Sequence, residues 1–501
     1  MAAGRYYLTA AIPYANGEPH IGHAYEVIAV DALARFMRLD GYDVRFQTGM
    51  DEHGQKIEQT ARKLGITPQA LVDKVSAQFR ALYNGLGISY DDFIRTTEPR
   101  HKIGAQEFWR RMSKDDIYLG KYSGWYSVRD EAYFDESELT QGEGGQKLAP
   151  SGAPAEWVEE ESYFFRLSAY QDRLLKLYEE NPGFIQPDSR RNEVIRFVEG
   201  GLKDLSISRT SFDWGVPVPG SNNHVMYVWL DALTNYITGL GYPDDTELWR
   251  RYWPADIHLI GKDVVRFHAV YWPAFLMSAG IALPKQVYGH GFLLSRGEKM
   301  SKSVGNVVDP MVLAERFGVD ALRYFLLREV SFGQDGSYSA EAIVNRANAE
   351  LANSFGNLAQ RILSMIHKNL DGVLPAPGKA LEDRELLEQV RAATETEVPQ
   401  AFERLAFSVG IEVWLKAVFA CNAYVDTQAP WTLRKTDPQR MAAVLGTLVV
   451  AVRDLARAIS PIIPASADKL LSLIDAGEGG TPIAAPTPLF PRLELEEDEA
   501  A

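Results

Sequence analysis

Short apolar runs alternate with longer amphipathic runs in the first part of the chain. Residues Tyr6 to Ala11 and Val44 to Thr48 each predict a strand, and His20 to Leu39 has apolar residues at helical spacing. Alternation of strands and helices is typical of a parallel sheet with helices packed on its faces. Apolar runs at Met226 to Trp229 and Ile257 to Ile260 predict further strands of the same α/β domain.

Two stretches depart from this alternation. Between about 120 and 220, glycine, proline, serine and glutamate accumulate, which predicts an inserted domain. Beyond Ser339, long helical patterns such as Ala342 to His367 and Ala406 to Asp426 predict a helical bundle. The predicted organisation is a sheet domain at 1–117, an inserted domain at 118–225, the second half of the sheet domain at 226–290, a linking region at 291–340, a helical bundle at 341–475, and a C-terminal wrap with an acidic tail at 476–501.

The composition narrows the class of protein. With 501 residues, 46% of them hydrophobic and 24% charged, the chain suits a globular protein of several domains. No apolar run reaches the roughly 20 residues of a membrane span, and the first strand follows Met1 without a hydrophobic leader, so we expect a cytoplasmic protein with no membrane partner. The net charge of -15 argues against a nucleic-acid partner, although it does not exclude a local basic surface.

Cys421 is the only cysteine of the chain. A single thiol excludes an internal disulfide framework and any zinc site built on several thiolates. Because Cys421 lies in the apolar helical run Val413 to Val425, we expect it to fill the core rather than to act as a catalytic thiol.

The tetrapeptide His20-Ile21-Gly22-His23, here called the histidine motif, falls where the first predicted strand passes into a helix. That place lies at the carboxyl edge of a parallel sheet, where a helix amino end favours an anion. Gly22 lets a nucleotide approach the backbone, and His20 and His23 can donate hydrogen bonds to phosphate oxygens during a displacement at phosphorus. The alternatives are a chance tetrapeptide or a pair of histidines that caps a helix.

The segment Lys299-Met300-Ser301-Lys302-Ser303, here called the lysine loop, lies between the predicted sheet domain and the bundle. Two ammonium groups with hydroxyls between them can follow the charge that migrates along a triphosphate. A solvated surface loop is the alternative for this segment taken by itself.

The two motifs, in this order and with this separation, resemble the signatures of the class I aminoacyl-tRNA synthetases, which activate an amino acid as its adenylate. The resemblance implies a Rossmann-like catalytic domain with an inserted connective domain, followed by an all-α anticodon-binding bundle. It also implies catalytic roles for His20, His23, Lys299 and Lys302, and ATP binding by these residues together with Gly22 and Ser301.

Several segments are similar to the methionine-specific branch of that family. They are Thr9 to Gly17, Gly49 to Gly54, Tyr227 to Ala232, and Ile260 to Asp263 with Phe267-His268. The resemblance implies that Asp51 pairs with the substrate ammonium group. It implies a side-chain pocket lined by Ile12, Tyr14, Trp229, Ala232, Tyr236, Val264 and His268.

An aromatic pocket suits a thioether, because sulfur gains contacts with rings that an aliphatic side chain cannot fully match. Tyr14 or His268 can offer the sulfur a weak hydrogen bond. The alternatives are that Trp229 and Tyr236 are core aromatics, and that Asp51 begins a helix whose dipole favours a carboxylate.

The helical bundle is expected to bind tRNA. Asn357 and Arg361 are four residues apart on one predicted helix, and Pro430-Trp431 is predicted to close another helix with an exposed aromatic. The resemblance places anticodon contacts on Asn357, Arg361 and Trp431, where stacking and hydrogen bonds can recognise unstacked bases. A polar helix face beside a packed tryptophan is the alternative.

Two positions depart from the pattern of the resembling family. Tyr126 to Tyr133 contains no cysteine where many relatives carry zinc ligands, so we predict no structural zinc and no other protein-held metal. Leu233 stands where proline is common in relatives, which alters the expected shape of the pocket.

The resemblance implies ATP with Mg²⁺ as a substrate, L-methionine, and tRNA(Met) including the initiator tRNA as partners of a monomer. Three other classes remain open at this point. They are a class I synthetase for isoleucine, leucine, valine or cysteine, a nucleotidyltransferase that shares the histidine motif, and a non-catalytic tRNA-binding protein.

Overall fold

The computed structural model describes residues 4–295, 298–299 and 308–495. Backbone contacts divide the chain into two compact units. The first unit comprises the chain up to residue 19 together with 41–84 and 88–290, and the second comprises 20–40, 85–87 and the described residues from 291 onward. The first helix, α1 (Ile21–Leu39), therefore groups with the second unit.

The first unit combines strands and short helices. Its strands are β1 (Arg5–Ala10), β2 (Asp43–Met50), β3 (Asp92–Arg95), β4 (Ile117–Ser127), β5 (Ala132–Phe134), β6 (Thr140–Gln141), β7 (Lys147–Leu148), β8 (Glu156–Phe165), β9 (Ile185–Gln186), β10 (Leu205–Ser206), β11 (Ser208–Arg209), β12 (Val225–Met226), β13 (Ile257–Gly261) and β14 (Val287–His290). Its α-helices are α2 (Gln55–Leu64), α3 (Pro68–Gly85), α4 (Pro99–Arg111), α5 (Gln171–Glu180), α6 (Asp188–Glu199), α7 (Val228–Leu233), α8 (Asn235–Thr238), α9 (Glu247–Tyr252) and α10 (Trp272–Ala279). Its 3₁₀ turns are Lys114–Asp116, Glu136–Glu138, Glu143–Gly145, Leu167–Tyr170 and Lys262–Val264, and a π-helical turn spans Phe267–Tyr271.

Six strands form the central sheet of this unit in the order β3-β2-β1-β13-β14-β9, and every pairing is parallel. Leu8 in β1 lies beside Phe46 of β2 and Ile257 of β13, and all three side chains are buried. Burial on both faces is characteristic of parallel sheets covered by helices. The predicted α/β fold with a parallel sheet is confirmed.

A second, antiparallel sheet with the order β10-β8-β4-β5 lies within residues 117–206. Its centre is the long hairpin of β4 and β8, which pairs Ile117 with Phe165 at one end and Tyr126 with Glu156 at the other. The short strand β9, from the same part of the chain, instead extends the central sheet beside β14.

The strand predicted at Met226 to Trp229 is wrong in its second half. Strand β12 ends at Met226, and helix α7 begins at Val228. The helix is buried on nearly all sides, and a continuous apolar run cannot distinguish a buried helix from a buried strand. Trp229 therefore projects from a helix.

The second unit is mainly helical. Beside α1 it contains α11 (Pro310–Phe317), α12 (Val319–Glu329), α13 (Ala340–Arg346), α14 (Asn357–Asn369), α15 (Leu381–Arg391), α16 (Val398–Glu403), α17 (Phe407–Gln428), α18 (Pro430–Thr436), α19 (Pro438–Ile459) and α20 (Pro464–Asp475). The π-helical stretches Ala347–Gly356 and Ala392–Glu397 and a 3₁₀ turn at Glu478–Gly480 complete its helices, and β15 (Leu293–Ser295), β16 (Glu298–Lys299) and β17 (Gly336–Tyr338) form a small sheet. In the part of the chain that the structure describes, no helix is both long enough and apolar enough to cross a membrane.

Two expectations for the helical region have opposite outcomes. Cys421 is buried in α17, and burial raises the pKa of its thiol to about 12, so its core-filling role is confirmed. The prediction that Pro430-Trp431 closes a helix is wrong, because α17 ends at Gln428 and Pro430 is the first residue of α18. Proline lacks a backbone N–H and fits the first helical turn, where that donor has no helical partner.

A buried ion pair ties α1 to the bundle within the second unit. An Arg323 guanidinium nitrogen lies 2.7 Å from Asp31 Oδ2, and both side chains are fully buried. The same guanidinium donates hydrogen bonds of 2.9 Å to the carbonyl oxygens of Pro461 and Ile462. One side chain thus joins α1, α12 and the segment before α20.

We predict that Arg323→Met destabilises the protein by about 3 kcal/mol or more, since it removes the guanidinium paired with the buried Asp31 carboxylate and the donors to two carbonyls. Chemical denaturation followed by circular dichroism measures the change. The matched control is Arg62→Met, which removes an exposed pair with Glu58 and is expected to cost no more than about 0.5 kcal/mol. Equal effects of the two substitutions would contradict the role given to Arg323.

Candidate functional site

Most of the predicted pocket residues of the first unit follow the carboxyl ends of three adjacent strands. Ile12 and Tyr14 follow β1, Asp51 follows β2, and Val264 and His268 follow β13. Since β2, β1 and β13 are parallel neighbours, these residues emerge at one edge of the sheet.

Asp51 is fixed by its backbone and lacks a partner at one carboxylate oxygen. Its N–H donates to the Pro13 carbonyl at 2.9 Å, and its carbonyl accepts from Ala15 N at 2.8 Å. Oδ1 is buried, and no described residue forms a hydrogen bond with it. Burial first, and then the nearby carboxylates of Asp231 and Glu131, raise the pKa of Asp51 well above its ordinary value. A cation is the ligand that this carboxylate lacks.

The alternative role of Asp51 at a helix start does not hold. Helix α2 begins at Gln55, with Gly54 as its N-cap, so Asp51 precedes its first turn. The residue instead forms an isolated parallel bridge with Tyr14.

A second buried carboxylate, Asp231, orients two histidines. His53 Nδ1 lies 2.7 Å from Asp231 Oδ2, and His101 Nε2 lies 2.6 Å from Oδ1. Burial alone would raise the pKa of Asp231, but the two histidines hold that pKa below its ordinary value. The paired Nδ1 of His53 leaves its Nε2 as a buried atom for which the described residues provide no hydrogen-bond partner.

Aromatic side chains form a wall beside these carboxylates. The Trp229 ring stacks on Phe267, with centroids 3.8 Å apart and planes 3° from parallel. The ring centroids of Trp229 and His268 are 6.2 Å apart with the ring planes nearly perpendicular, and Tyr236 Oη lies 2.6 Å from His268 Nε2. Trp229 is only half-buried, whereas Tyr236 and Ala232 are buried. The core-aromatic alternative therefore suits Tyr236 better than Trp229.

The hydrogen bonds of the wall fix the proton positions. His268 Nδ1 lies 2.9 Å from the Val264 carbonyl, which can only accept, so Nδ1 carries the proton and Nε2 accepts from Tyr236 Oη. Burial lowers the pKa of His268 to about 4, which keeps the ring neutral. The hydroxyl of Tyr14 donates to Glu131 Oε1 at 2.9 Å. In this arrangement neither Tyr14 nor His268 can donate a hydrogen bond to a thioether, contrary to the expectation from the sequence.

The sequence pattern did not single out Glu131, Asp231 or His101 as site residues. Asp231 stands within an otherwise apolar run, and a carboxylate in such a run was the available signal. Glu131 offered no comparable signal, because it reaches Tyr14 from 117 positions later in the chain.

The histidine motif of the second unit caps its helix. His20 is the N-cap of α1 and accepts a hydrogen bond from Gly22 N at Nδ1, while His23 Nδ1 accepts from His20 N, both at 3.1 Å. An accepting Nδ1 means that each neutral ring carries its proton on Nε2. Burial, with His20 beside it, lowers the pKa of His23 well below its ordinary value, so this ring is neutral. The capping contacts thus use Nδ1 of both rings.

Gly22 is required by the cap itself. A Cβ at Gly22 would lie 2.9 Å from Cε1 and 3.0 Å from Nδ1 of the His20 ring. Any side chain would therefore displace His20 from its capping position.

Val308, which follows the lysine loop by five residues, lies beside the histidine motif. The backbone N–H of Ile21 donates to the carbonyl of Val308 at 3.0 Å. Lys299 lies in strand β16, which pairs with β15, whereas Ser301 and Lys302 fall outside the described residues.

The predicted anticodon residues meet on the surface of the helical unit. The Arg361 guanidinium lies 5.3 Å from the centre of the Trp431 ring and 3.4 Å from Asp426 Oδ1. Trp431 is 45% exposed, and Asn357 is exposed one turn before Arg361 on α14. The alternative of a packed tryptophan does not hold.

Among residues 4–295 and the described residues that follow, no group of three histidine, cysteine or acidic side chains is arranged to hold a metal ion. In the segment where zinc ligands were considered, Asp130 Oδ2 accepts hydrogen bonds from Ser127 Oγ at 2.9 Å and Ser151 Oγ at 2.5 Å. Hydroxyl donors are the chemistry of a hydrogen-bonded turn rather than of a zinc site.

Two family models match most of the chain. One, described as tRNA synthetases class I (M), matches residues 6–363, and the other, described as the anticodon binding domain of methionyl tRNA ligase, matches residues 375–488.

Individual proteins match over their full length. The methionine–tRNA ligase of Brucella melitensis biotype 1 is 58% identical and covers 100% of each chain, and that of Mesorhizobium japonicum is 60% identical and covers 98% of each. The solved structure of Mycobacterium tuberculosis methionyl-tRNA synthetase in complex with methionyl-adenylate has a TM-score of 0.94 at 55% identity, covering 98% of this chain and 100% of that one. The free-state structure of the Mycobacterium tuberculosis enzyme has a TM-score of 0.87 at 52% identity, covering 98% and 99%.

We predict that Asp51→Asn stabilises the folded protein near pH 7 by roughly 1–3 kcal/mol, because it removes a buried carboxylate with one oxygen to which no described residue donates. The folded-state pKa of Asp51 is raised, so the unfolded chain ionises first and stability falls as pH rises above the unfolded pKa of about 3.9. The gain should therefore shrink as the pH falls towards the unfolded pKa and disappear below it, where both states are protonated.

Thermal unfolding at pH 4.5 and pH 7.5 tests this pattern, with Asp244→Asn at an exposed position as the control. The prediction fails if Asp51→Asn lowers the stability at pH 7.5 while having the same effect as the control at pH 4.5. That result would show that the Asp51 carboxylate is already paired.

Proposed function

Because this chain belongs to the methionyl-tRNA synthetases, ATP-dependent ligases that join methionine to its tRNA, we propose that Asp51 receives the methionine ammonium group. The observation that carries this assignment is the buried Asp51 Oδ1, to which no described residue donates, beside an aromatic wall. The methionine ammonium group would supply a cation and form a charge-assisted hydrogen bond with this oxygen.

The methionine side chain lies against the aromatic wall in this proposal. Its thioether contacts the half-buried face of Trp229, and the buried Tyr236 and His268 close the far end. The shape of the pocket and the polarizability of its rings select methionine in this proposal, because the polar hydrogen atoms of Tyr14 and His268 already form hydrogen bonds within the protein. The full proposed lining is Ile12, Tyr14, Trp229, Ala232, Tyr236, Val264 and His268.

Activation requires an attack at phosphorus. A methionine carboxylate oxygen bonds to the α-phosphorus of ATP, and the bond from that phosphorus to the bridging oxygen breaks, giving methionyl-adenylate and pyrophosphate. Neutral His20 and His23 donate from Nε2 to phosphate oxygens, since Nδ1 of each is occupied by a backbone N–H. Gly22 and Ser301 are proposed as further ATP contacts, and Lys299 and Lys302 as the groups that stabilise pyrophosphate. Mg²⁺ enters as part of the ATP substrate.

Transfer completes the reaction. The 2′-hydroxyl of the terminal adenosine attacks the methionyl carbonyl and releases its proton to solvent as the new ester bond forms. The acyl carbon–oxygen bond of the mixed anhydride breaks, and AMP leaves with its electron pair. Asn357, Arg361 and Trp431 are proposed to bind the anticodon, and the exposed Trp431 ring beneath Arg361 supports base stacking there. We propose that the protein acts as a cytoplasmic monomer on initiator and elongator tRNA(Met).

We expect methionine alone to support exchange of labelled pyrophosphate into ATP when methionine, isoleucine, leucine, valine and cysteine are compared. His23→Ala and Lys302→Ala should each lower the exchange rate about 100-fold or more, because each removes a donor to the developing charge. His367→Ala, at an exposed position on α14, is the control and should exchange normally. Exchange with a different amino acid would reject the pocket assignment, and no exchange with any would favour a binding protein.

Trp431→Ala and Arg361→Ala should each raise the KM for tRNA(Met) about tenfold, since one stacked base is worth roughly 1–3 kcal/mol. Neither substitution should change methionine-dependent pyrophosphate exchange, which needs no tRNA. Aminoacylation kinetics measure both, and Arg384→Ala, another exposed arginine of the helical unit, is the charge-matched control. An unchanged KM for tRNA in both variants would move the anticodon site elsewhere.

A further inference from the structure

Glu131 is a buried carboxylate from the antiparallel sheet that reaches the methionine site. It lies in the turn between β4 and β5 and is 4% exposed. Its φ of 49° places a non-glycine residue in the left-handed region, where glutamate is uncommon. Such a conformation costs free energy and persists where surrounding contacts hold it.

Three donors from three segments converge on this carboxylate. Tyr14 Oη donates to Oε1 at 2.9 Å, Lys56 N donates to Oε1 at 3.0 Å, and Tyr126 Oη donates to Oε2. Burial raises the pKa of Glu131, and these donors partly offset that rise. The backbone carbonyl of Glu131 also accepts a hydrogen bond of 2.8 Å from Tyr227 Oη, which fixes the turn itself.

Gly54, the Tyr14 hydroxyl and the Glu131 carboxylate are closely packed, with no room for an additional side chain at Gly54. At Gly54 a Cβ would lie 2.5 Å from Tyr14 Oη and 2.8 Å from Glu131 Oε1. Gly54 also has a φ of 116°, which other residues rarely adopt. The loop after β2, the loop after β1 and the β4–β5 turn are therefore fitted to one another around the Tyr14 hydroxyl.

Tyr14 is held at both of its ends. Its backbone forms the bridge with Asp51, and its hydroxyl donates to Glu131. With the backbone end fixed by the bridge, the side-chain hydrogen bond is the contact that sets where the ring lies.

We propose that Glu131 is a positioning residue for methionine binding, which holds the Tyr14 ring in place and so lets the β4–β5 turn set the affinity for the amino acid. This inference rests on the proposed role of Tyr14 in the methionine pocket. Glu131 touches Tyr14 rather than the substrate, so its loss should act on methionine binding and leave ATP binding unchanged.

The test is a double-mutant cycle of Tyr14→Phe and Glu131→Gln, measured by pyrophosphate exchange with methionine and ATP varied separately. Each single substitution should raise the KM for methionine about three- to tenfold, the cost of immobilising one side chain on binding. The KM for ATP should stay within twofold of the wild-type value. Because Glu131 acts through Tyr14, the double variant should be no worse than the poorer single variant.

Asp130→Asn is the matched control, since it neutralises the neighbouring carboxylate of the same turn, whose partners Ser127 and Ser151 lie in the same part of the chain. It should leave the KM for methionine unchanged. Thermal unfolding of every variant shows whether it is folded at the assay temperature. If Glu131→Gln is not folded, Glu131→Asp, which withdraws the carboxylate by one methylene group, takes its place in the cycle.

An unchanged methionine KM in the Glu131 variant, or additive effects in the double variant, would overturn the inference. Equal rises in the KM values for methionine and ATP would also overturn it, because they indicate general loosening of the fold. These failures are distinct from failure of the proposed function, which would appear as absence of methionine-dependent exchange in the wild-type protein.

Discussion

A buried carboxylate without a cation is unfavourable, and the first unit is built around one at Asp51. The carboxylate lies just beyond the carboxyl end of β2, where the backbone of Asp51 forms a bridge with Tyr14. Nearby Asp231 is hydrogen-bonded by His53 and His101, so the protein satisfies one buried carboxylate of the pair internally. The one that it leaves unsatisfied is the one that a substrate ammonium group can complete. In our proposal this asymmetry gives the site its preference for a zwitterionic amino acid.

In the second unit, hydrogen bonds determine which nitrogen atoms of the two motif histidines are already used within the protein. His20 and His23 each use Nδ1 to accept a backbone N–H at the start of α1, which fixes the tautomer with the proton on Nε2. A motif that could have been either a helix cap or a phosphate-binding pair therefore serves both roles in our proposal. The same helix is anchored by the buried pair of Asp31 and Arg323, so the cap is carried on a rigid support.

Local sequence patterns predicted strands of the central sheet. The features that these patterns missed depend on contacts between residues that are far apart in the chain. The strand expected at Tyr6 to Ala11 is β1 at Arg5–Ala10, because its apolar run is bounded by a turn-rich loop. Trp229 was assigned to a strand and lies in α7, since a fully buried run carries no periodic signal. The family resemblance supplied the pocket residues, but no local pattern reveals that Glu131 bonds Tyr14, or that the protons of Tyr14 and His268 are already committed.

The most direct measurement is a crystal structure of this protein with methionyl-adenylate bound. We predict that the amino nitrogen of the ligand lies about 2.8 Å from Asp51 Oδ1, the distance of a charge-assisted hydrogen bond. The thioether should contact the Trp229 ring, with His268 still bonded to Tyr236. A complex in which the amino nitrogen is bound by other groups, with Asp51 turned away or paired to a protein cation, would contradict the central role given to this carboxylate.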